Sequence, residues 1–392
     1  MPPRHVGVDP PPVARRGAIP PFIVMDVLRA ANDRAEAGGD VLHLEVGQPG
    51  TGAPAPVLEA ARVALAADRL GYTDALGLST LRRRIAQHYG ETYGFDLDWR
   101  RVVVTAGSSG AFILAFLAAF ESGNRVALAS PGYPAYRNIL SALGVTVVDL
   151  PVAAATDFQP TPDDLDRAAA GGALSGLIVA SPANPTGTML SRSRLDDLAK
   201  WCGGHSAWFV SDEIYHGITY GTPAETALTL DPDAIAINSF SKYYAMTGWR
   251  LGWMVLPDRL LRSVECLAQN LFICPSALSQ HAALAVFDCR ETLDAHVARY
   301  GRNRAVLLRE LPRAGICRFA APNGAFYLYA DVGTLTDDSQ AFCRRMLHET
   351  GVAITPGIDF DPVRGHRFVR FSFAGPENDI AEAARRLVAW LG

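Results

Sequence analysis

Between residues 101 and 256 the chain alternates short apolar runs with turns and helical segments. Each apolar run leads into a turn rich in small or polar residues. Strands that alternate with helices in this way are typical of a mainly parallel sheet covered by helices. The spacing therefore predicts an α/β fold, with functional side chains at the turns that follow the strands. The clearest strand patterns are 102–104, 125–129, 176–180, 207–210 and 234–237.

The composition is that of a globular protein. The 392 residues are enough for two domains, and the hydrophobic fraction of 49% and charged fraction of 19% are ordinary values. A formal net charge of −4 argues against a general nucleic-acid binder. No apolar run reaches the roughly 18 residues that a membrane span needs. Residues 1–15 carry Pro and Arg without an apolar signal region, and we expect them to be a flexible segment.

The six cysteines show no C-x-x-C motif and no regular spacing with histidine. This pattern favours reduced thiols in a cytoplasmic protein and predicts no metal site. For most of the cysteines we expect burial as small apolar residues.

A lysine follows one of the predicted strands. Lys242 comes just after the run 234–237 and lies close in sequence to Ser239, Ser241 and Arg250. A lysine amine can form a Schiff base with an aldehyde, and the two hydroxyls and the guanidinium are suitable donors to a phosphate. A solvated loop cation is the alternative for Lys242, but the neighbouring donors favour a cofactor site.

The pattern Ser-x-Ser-Lys, followed eight residues later by the arginine of Gly-Trp-Arg-x-Gly, resembles the active-site signature of class I/II aminotransferases. These are fold-type I enzymes that use pyridoxal 5′-phosphate (PLP), and the resemblance covers nearly the whole chain. It implies a large domain with a mainly parallel seven-stranded sheet between helices, plus a smaller α/β domain. We expect the large PLP-binding domain at 50–285, and the small domain at 16–49 together with 286–392.

The resemblance gives roles to residues at other strand ends. Asp212 follows the run 207–210, where a buried carboxylate is costly unless it is paired, and the protonated pyridine nitrogen of PLP would be its partner. Tyr215 and Asn184 would donate to the phenolic oxygen of PLP, and Tyr133 would stack on its ring. The alternatives are core packing for Tyr133 and ordinary turn chemistry for the Asn-Pro-Thr-Gly motif that begins at Asn184. Lys242 would bind the aldehyde and act as the general base, with Asp212 and Tyr215 as its catalytic partners.

A turn of small residues precedes the apolar helical segment 111–120. Its Gly107, Ser108 and Ser109 match the phosphate-binding positions of the family. A helix N-terminus offers free backbone N–H groups and a positive dipole end to a phosphate. The spacing is neither that of a P-loop nor that of a dinucleotide-binding motif. We expect this turn to complete one anion site with the serines and the arginine around Lys242.

The substrate would bind beside the cofactor. By the resemblance, Gly47 brings backbone close to the substrate carboxylate, and Arg370 holds that carboxylate next to Asn184. The alternatives are a turn requirement for Gly47 and a surface salt bridge for Arg370. No cation for a second carboxylate is evident in the side-chain pocket, which favours a neutral or aromatic amino donor unless Arg15 or Arg16 reaches it. The pocket residues are expected near Ile19, Gln48, Phe272 and Tyr327.

The spacing from Tyr72 to Arg82 resembles the family segment that crosses a dimer interface. It implies a homodimer in which Tyr72 reaches the cofactor phosphate of the neighbouring subunit, although surface packing would also suit a tyrosine.

The expected reaction moves an amino group between an L-amino acid and a 2-oxo acid by a ping-pong mechanism. A PLP-dependent C–S β-lyase or a synthase acting on an aminoacyl sulfonium would use the same residues, so both remain open. A PLP-binding regulatory domain is disfavoured, because no basic helix-turn-helix extension precedes residue 15.

Overall fold

The computed structural model describes residues 12–68 and 70–392, so residues 1–11 of the predicted flexible segment lie outside the described part. The helices are α1 (Ile23–Glu36), α2 (Ala55–Ala66), α3 (Ser79–Tyr93), α4 (Gly107–Ala119), α5 (Pro134–Ala142), α6 (Pro162–Ala169), α7 (Arg192–Gly204), α8 (Asp258–Leu271), α9 (Ala277–Ala283), α10 (Arg290–Glu310), α11 (Ser339–Thr350) and α12 (Glu377–Leu391). The strands are β1 (Leu42–His43), β2 (Val102–Thr105), β3 (Arg125–Ser130), β4 (Thr146–Pro151), β5 (Gly176–Ala180), β6 (Trp208–Asp212), β7 (Ile235–Ser239), β8 (Gly252–Val255), β9 (Arg318–Phe319), β10 (Tyr327–Asp331), β11 (Val352–Ala353), β12 (Thr355–Pro356) and β13 (Phe368–Ser372).

The central sheet has seven strands in the order β2-β8-β7-β6-β5-β3-β4. All neighbouring strands are parallel except β8, which runs antiparallel to both β2 and β7. This arrangement confirms the predicted α/β fold with a mainly parallel seven-stranded sheet. The register places the end of β5 beside the end of β6, with Ala180 opposite Asp212. The turns after these strands therefore open at one edge.

Helices cover both faces of this sheet. Alternate strand residues such as Leu177 and Phe209 belong to one hydrophobic core with α2, α3 and α7. The residues between them, such as Ile178 and Val210, belong to a core with α4, α5 and α8 on the other face. Successive side chains of a strand point to opposite faces, so continuous apolar runs are what a sheet buried on both sides requires.

A second, antiparallel sheet has the order β12-β13-β10-β9, and β1 pairs in parallel with β11. Its core contains residues of α10, α11 and α12. The long helix α10 passes from one core to the other, because Leu293 packs with the central sheet whereas Tyr300 and Leu307 pack with the second one. The domain limits at 49/50 and 285/286 stay a prediction.

Some predicted elements have different limits. The sequence pattern predicts a long helical stretch over 258–288, which the structure divides into α8, α9 and the 3₁₀ segment Leu284–Asp288. The first break lies where Ile273 has a positive φ of 64° and Pro275 follows. Such a φ takes a non-glycine residue out of the right-handed helical region, and proline lacks the N–H that a helix interior needs. Residues 107–110 of the predicted turn 105–110 are instead the start of α4, which places Ser108 and Ser109 in its first turn.

Candidate active site

A cavity of about 200 Å³ lies at the carboxyl ends of the central strands, between that sheet and the second one. Larger cavities of about 350, 470 and 480 Å³ also occur, but none of these three contains the lysine that follows β7. Eleven of the residues predicted to be catalytic or to bind the cofactor or the substrate carboxylate line the smaller cavity: Gly47, Ser108, Ser109, Tyr133, Asn184, Asp212, Tyr215, Ser241, Lys242, Arg250 and Arg370.

Lys242 stands in the loop after β7. Bonds from Phe240 N to Leu251 O (3.1 Å) and from Met246 N to Phe240 O (3.0 Å) fix this loop from both sides. The half-buried Lys242 Nζ donates a 2.6 Å hydrogen bond to the carbonyl oxygen of Gly47. Burial lowers the pKa of Lys242 to about 8, and nearby arginines add to this effect. An amine with such a pKa is partly neutral near pH 7, as a nucleophile or a base must be.

Asp212 is the last residue of β6 and is only 3% exposed. Its Oδ2 accepts a hydrogen bond from the Tyr136 hydroxyl, and its Oδ1 accepts one from Ile214 N at 3.0 Å. Burial raises the pKa of Asp212 to about 6, although these two bonds and the charge of Lys242 oppose the rise. The carboxylate therefore needs a positively charged partner to be fully ionised at neutral pH. It lines the cavity together with Lys242.

Close packing brings the start of α4 against Arg250. A Cβ added at Gly107, which has a φ of +70°, would lie 2.6 Å from Arg250 Nη2. A Cβ at Gly252 would lie 2.8 Å from Ser108 N. The two glycines thus allow a helix N-terminus and a guanidinium to share one wall. Ser241 lines the same wall, so this part of the cavity can bind an anion such as a phosphate.

Ser239 lies behind this wall and does not line the cavity. Its Oγ accepts a hydrogen bond from Ser241 N (3.1 Å) and donates to Leu251 O (3.1 Å). The Oγ atoms of Ser239 and Ser241 are 3.0 Å apart. In this structure Ser239 holds the loop that carries Ser241 and Lys242.

Two tyrosine hydroxyls meet near Gly47. Tyr215 Oη and Tyr327 Oη are 2.8 Å apart, and both rings are buried. A Cβ at Gly47 would overlap the Tyr327 hydroxyl. The glycine therefore leaves the room in which Tyr327 reaches Tyr215 and in which the Gly47 carbonyl reaches Lys242.

Arg370 is only 2% exposed, in the middle of β13. Its Nη1 donates to Asn184 Oδ1 at 2.9 Å, and its Nη2 donates to Glu45 O and to Thr355 Oγ1. The guanidinium lies over the rings of Tyr327 and Phe360, at 4.4 and 4.7 Å. Arg370 Nε has no hydrogen-bond partner among the described residues. A buried guanidinium held in this way and lining the cavity is suited to a carboxylate.

The first turn of α1 forms another wall. Phe22, Val24 and Met25 line the cavity, and the Phe22 ring meets Tyr133 edge to face at 5.9 Å. Burial raises the pKa of the Tyr133 phenol to about 12, so the ring stays neutral. The side chains of Phe22, Val24 and Met25 make this wall apolar.

Comparison with known proteins agrees with this geometry. The model of the family "Aminotransferase class I and II" matches residues 39–387. The chain belongs to this family. A protein of Mycobacterium tuberculosis described as valine–pyruvate aminotransferase is 52% identical over 97% of this chain and 98% of its own length. The crystal structure of an aminotransferase from the same organism superposes with a TM-score of 0.95 at 51% identity, over 97% of this chain and 99% of that one. A putative aminotransferase from Silicibacter pomeroyi gives a TM-score of 0.91 at 52% identity, with the same coverage.

In this aminotransferase, the cavity is lined by most of the residues predicted for the site, but not by all of them. Among the predicted cofactor residues, Gly107 and Ser239 lie next to the cavity and not on its lining, and Tyr72 is 84% exposed, away from it. The predicted pocket residues Gln48 and Tyr327 line the cavity, whereas Ile19 and Phe272 do not. Of the pair Arg15 and Arg16, only Arg16 has a described side chain, and it is exposed and does not line the cavity.

The sequence missed Tyr136, the partner of Asp212, and the wall formed by α1. A tyrosine three residues after Tyr133 could have suggested a second ring in the site, but nothing in the sequence linked it to Asp212. Glu213, the residue after Asp212, is buried but does not line the cavity, and its Oε1 accepts hydrogen bonds from Thr226 Oγ1 and Ala227 N.

Within residues 12–68 and 70–392, no three His, Cys, Asp or Glu side chains form a group that could hold a metal ion. In the same part of the chain, no helix combines the length and the apolar character needed to cross a membrane.

Proposed function

We propose that this aminotransferase uses PLP bound to Lys242, takes a neutral aliphatic L-amino acid such as valine as donor, and passes the amino group to a small 2-oxo acid such as pyruvate. The observation that carries the proposal is the set of charges in the cavity. Among its described lining residues the cations are Lys242, Arg250 and Arg370, and the one carboxylate is Asp212. Each of these four has a partner in a PLP-bound amino acid, and no cation is left over.

The residues of the cavity fit PLP. The wall formed by α4, Ser241 and Arg250 suits the phosphate, and the glycines at 107 and 252 keep it open. Asp212 stands where a protonated ring nitrogen would supply the positive partner that its raised pKa calls for. Tyr133 is placed to pack on a ring, and Lys242 is the amine that an aldehyde would reach. When bound, PLP supplies an electron sink for the bond broken at the substrate's α carbon.

The side chains of this protein would bind the substrate and move the proton. Arg370 and Asn184 hold the substrate carboxylate, which fixes the α carbon relative to Lys242. The Lys242 amine, with a pKa lowered to about 8, would take the proton from that carbon. The Gly47 carbonyl would hold the amine when it is protonated. Tyr215 and Asn184 would supply hydrogen-bond donors to the cofactor, and Asp212 would pair with a protonated ring nitrogen.

The choice of donor follows from the part of the cavity that neither PLP nor the substrate carboxylate would occupy. A second carboxylate on the substrate would need a cation of its own. Of the three cations among the described lining residues, Arg250 would bind the phosphate, Arg370 would bind the α-carboxylate, and Lys242 is the reacting amine. The donor's side chain would instead meet Phe22, Val24 and Met25. An apolar wall favours an aliphatic side chain by about 0.8 kcal/mol for each buried methylene group. The 52% identical relative is described as a valine–pyruvate aminotransferase, which supports the same class of donor.

A β-lyase remains the second candidate from the sequence, because it would use the same residues. The family match and the similar proteins are aminotransferases, which favours transamination. The cytoplasmic location stays a prediction.

We also propose a homodimer with Tyr72 at the interface. Tyr72, Leu271 and Ile273 are apolar or aromatic, and at least half of each side chain is exposed. The two segments that carry them are joined, since Thr73 N donates to Cys274 Sγ at 3.4 Å. A patch of exposed apolar side chains on one face suits a second copy of the chain.

The test of cofactor attachment uses the small number of lysines. The chain has only Lys200 and Lys242, and Lys200 is exposed and pairs with Asp196 at 2.6 Å. Borohydride reduction followed by peptide mass spectrometry is expected to place PLP on Lys242 in the wild type and in Lys200→Ala. A reduced adduct found on Lys200 alone would refute the assignment.

The test of function adds single L-amino acids to the PLP form without any 2-oxo acid. Valine and alanine are expected to convert the cofactor to its amine form, seen as a change of its absorption band, with one equivalent of 2-oxo acid released. Aspartate is expected to react far more slowly. Continuous release of ammonia and a 2-oxo acid from an amino acid with a β leaving group, such as cysteine, with no conversion of the cofactor, would identify a lyase and overturn the proposal.

A further inference from the structure

The apolar wall at the first turn of α1 is fixed from a distant part of the chain. The residue before the helix, Phe22, provides no side-chain cap. Instead, Ile23 N donates to Asp359 Oδ1 at 3.1 Å, and Val24 N donates to Asp359 Oδ2 at 3.2 Å. Both oxygens of one carboxylate thus bind the free N–H groups at the helix start, 336 and 335 residues away.

The segment that carries this carboxylate is itself held by the active site. The Phe360 carbonyl accepts hydrogen bonds from Gly132 N (3.1 Å) and from Arg137 Nη2 (3.4 Å). The Phe360 ring lies 4.7 Å from the Arg370 guanidinium. Gly132 directly precedes Tyr133, which lines the cavity. Asp359 therefore links α1 to the residues on both sides of the substrate site.

The surroundings of Asp359 make this link tight. The side chain is only 5% exposed. Burial raises the pKa of this carboxyl, while the two helix N–H groups and the charges of Arg370 and Arg137 oppose the rise. A carboxylate that accepts two hydrogen bonds and is shielded from water holds its partners in one position better than a solvent-exposed cap does.

We infer that Asp359 is a positioning residue that sets donor specificity: it holds the first turn of α1 so that Phe22, Val24 and Met25 form the wall against the donor's side chain. This inference rests on the proposed function, because that wall is the one assigned to an aliphatic donor. Asp359 does not line the cavity and does not touch the reacting atoms. Its loss should therefore change how the donor binds more than how fast it reacts.

The expected result separates binding from chemistry. In Asp359→Ala the KM for valine should rise about tenfold, because the loss of a helix cap loosens the wall. For alanine, whose side chain reaches the wall less, the rise should be about twofold, and kcat should stay within about threefold for both donors. Asp359→Asn keeps one acceptor and its shape, so we expect an intermediate rise from a variant with nearly native packing.

A matched control is the cap of α11. Asp338 accepts hydrogen bonds from Gln340 N and Ala341 N, both at 3.0 Å, and does not line the cavity. Asp338→Asn makes the same chemical change at a helix start, and both KM values should stay at the wild-type level. Hydrogen exchange, followed by mass spectrometry on the cofactor-free protein, should show faster exchange of residues 23–25 in the Asp359 variants and of residues 339–342 in the Asp338 variant.

The two hypotheses fail in different ways. If the wild type does not react with valine, the proposed function is wrong, and hydrogen exchange still tests the link between Asp359 and α1. If the wild type reacts but the Asp359 variants keep the KM for valine, or lose valine and alanine equally through kcat, the inference is overturned. Unchanged exchange at residues 23–25 would overturn it as well.

Discussion

The hydrogen bond from Tyr136 to Asp212 offers a direct test of how this site sets its charges. Tyr136→Phe removes one oxygen and leaves the ring, which packs edge to face against Phe112 at 5.1 Å and Tyr133 at 5.2 Å. The bond favours the ionised form of Asp212. It opposes the rise in pKa that burial causes, and the pKa of about 6 is the result of both effects. Its removal must therefore raise the pKa of Asp212 further.

The size of the effect follows from the strength of such a bond. A hydrogen bond to a charged group contributes about 1.5–3 kcal/mol, and about 1.4 kcal/mol corresponds to one pKa unit. The pKa of Asp212 in the cofactor-free variant should thus rise by about one to two units, from about 6 to about 7 or 8. Below that pKa the carboxyl is neutral and cannot pair with a protonated ring nitrogen. PLP should then bind more weakly at neutral pH and recover its affinity as the pH rises.

The assay is a titration of the cofactor-free protein with PLP between about pH 5 and about pH 9, followed by tryptophan fluorescence. We expect the acid limb of the affinity profile to move upward by about one to two units in Tyr136→Phe. The control is Tyr93→Phe, which removes the hydroxyl of a partly buried tyrosine, 2.7 Å from His216 Nδ1 and outside the cavity. An acid limb at the wild-type pH in Tyr136→Phe would refute the argument that this bond tunes Asp212.

Two further predictions concern the geometry of the site and the dimer. Gly47→Ala should lower kcat by about a hundredfold, because its Cβ would displace the Tyr327 hydroxyl and shift the carbonyl that Lys242 binds. Gly52→Ala is the control and should leave kcat unchanged, because no atom lies within 4 Å of the added Cβ. Equal steady-state rates for the two variants would contradict this prediction. If Tyr72 acts across a dimer interface, mixing inactive Tyr72→Ala and Lys242→Ala subunits should restore about a quarter of the wild-type activity. The reason is that half of the dimers would be hybrids, each with one intact site out of two. No recovery of activity after verified subunit exchange would show that Tyr72 acts within its own chain.

The sequence predicted the convergence of the site because the fold class makes it geometric. In a mainly parallel sheet the carboxyl ends of the strands meet at one edge, so residues after different strands become neighbours. Asn184 follows β5, Asp212 ends β6 and Lys242 follows β7, and all three line one cavity. The resemblance supplied their roles, and the spacing explains why they come together.

The contacts that the sequence did not show are those between side chains and distant backbone or between two buried polar groups. The partner of Asp212 is Tyr136, which stands in a helix where a tyrosine reads as core packing. The anchor of α1 is Asp359, which binds backbone N–H groups, and those carry no residue-specific signal at all. Such pairs depend on how a helix packs on its sheet or against a distant loop, which is decided by tertiary contacts and not by local pattern.

Local strain explains the remaining differences. The stretch 258–288 reads as one helix by its apolar spacing, but Ile273 takes a positive φ and Pro275 lacks a donor, so the chain turns there. The turn gives the loop its contact with the Tyr72 segment through Cys274. Apolar periodicity alone predicts a continuous helix in such a case, because it contains no information on the backbone angles of a single residue.

The charged residues that line the cavity affect one another's pKa values. Three cations and one carboxylate line it, and burial drives the pKa of Lys242 down and that of Asp212 up. Arg370 and Arg250 lower the pKa of the amine further, so the groups that would hold the two anionic ends of a ligand also keep Lys242 ready to react. A ligand with a phosphate at one end, a carboxylate at the other and a positive nitrogen facing Asp212 would match every charge, and an amino acid joined to PLP has this pattern.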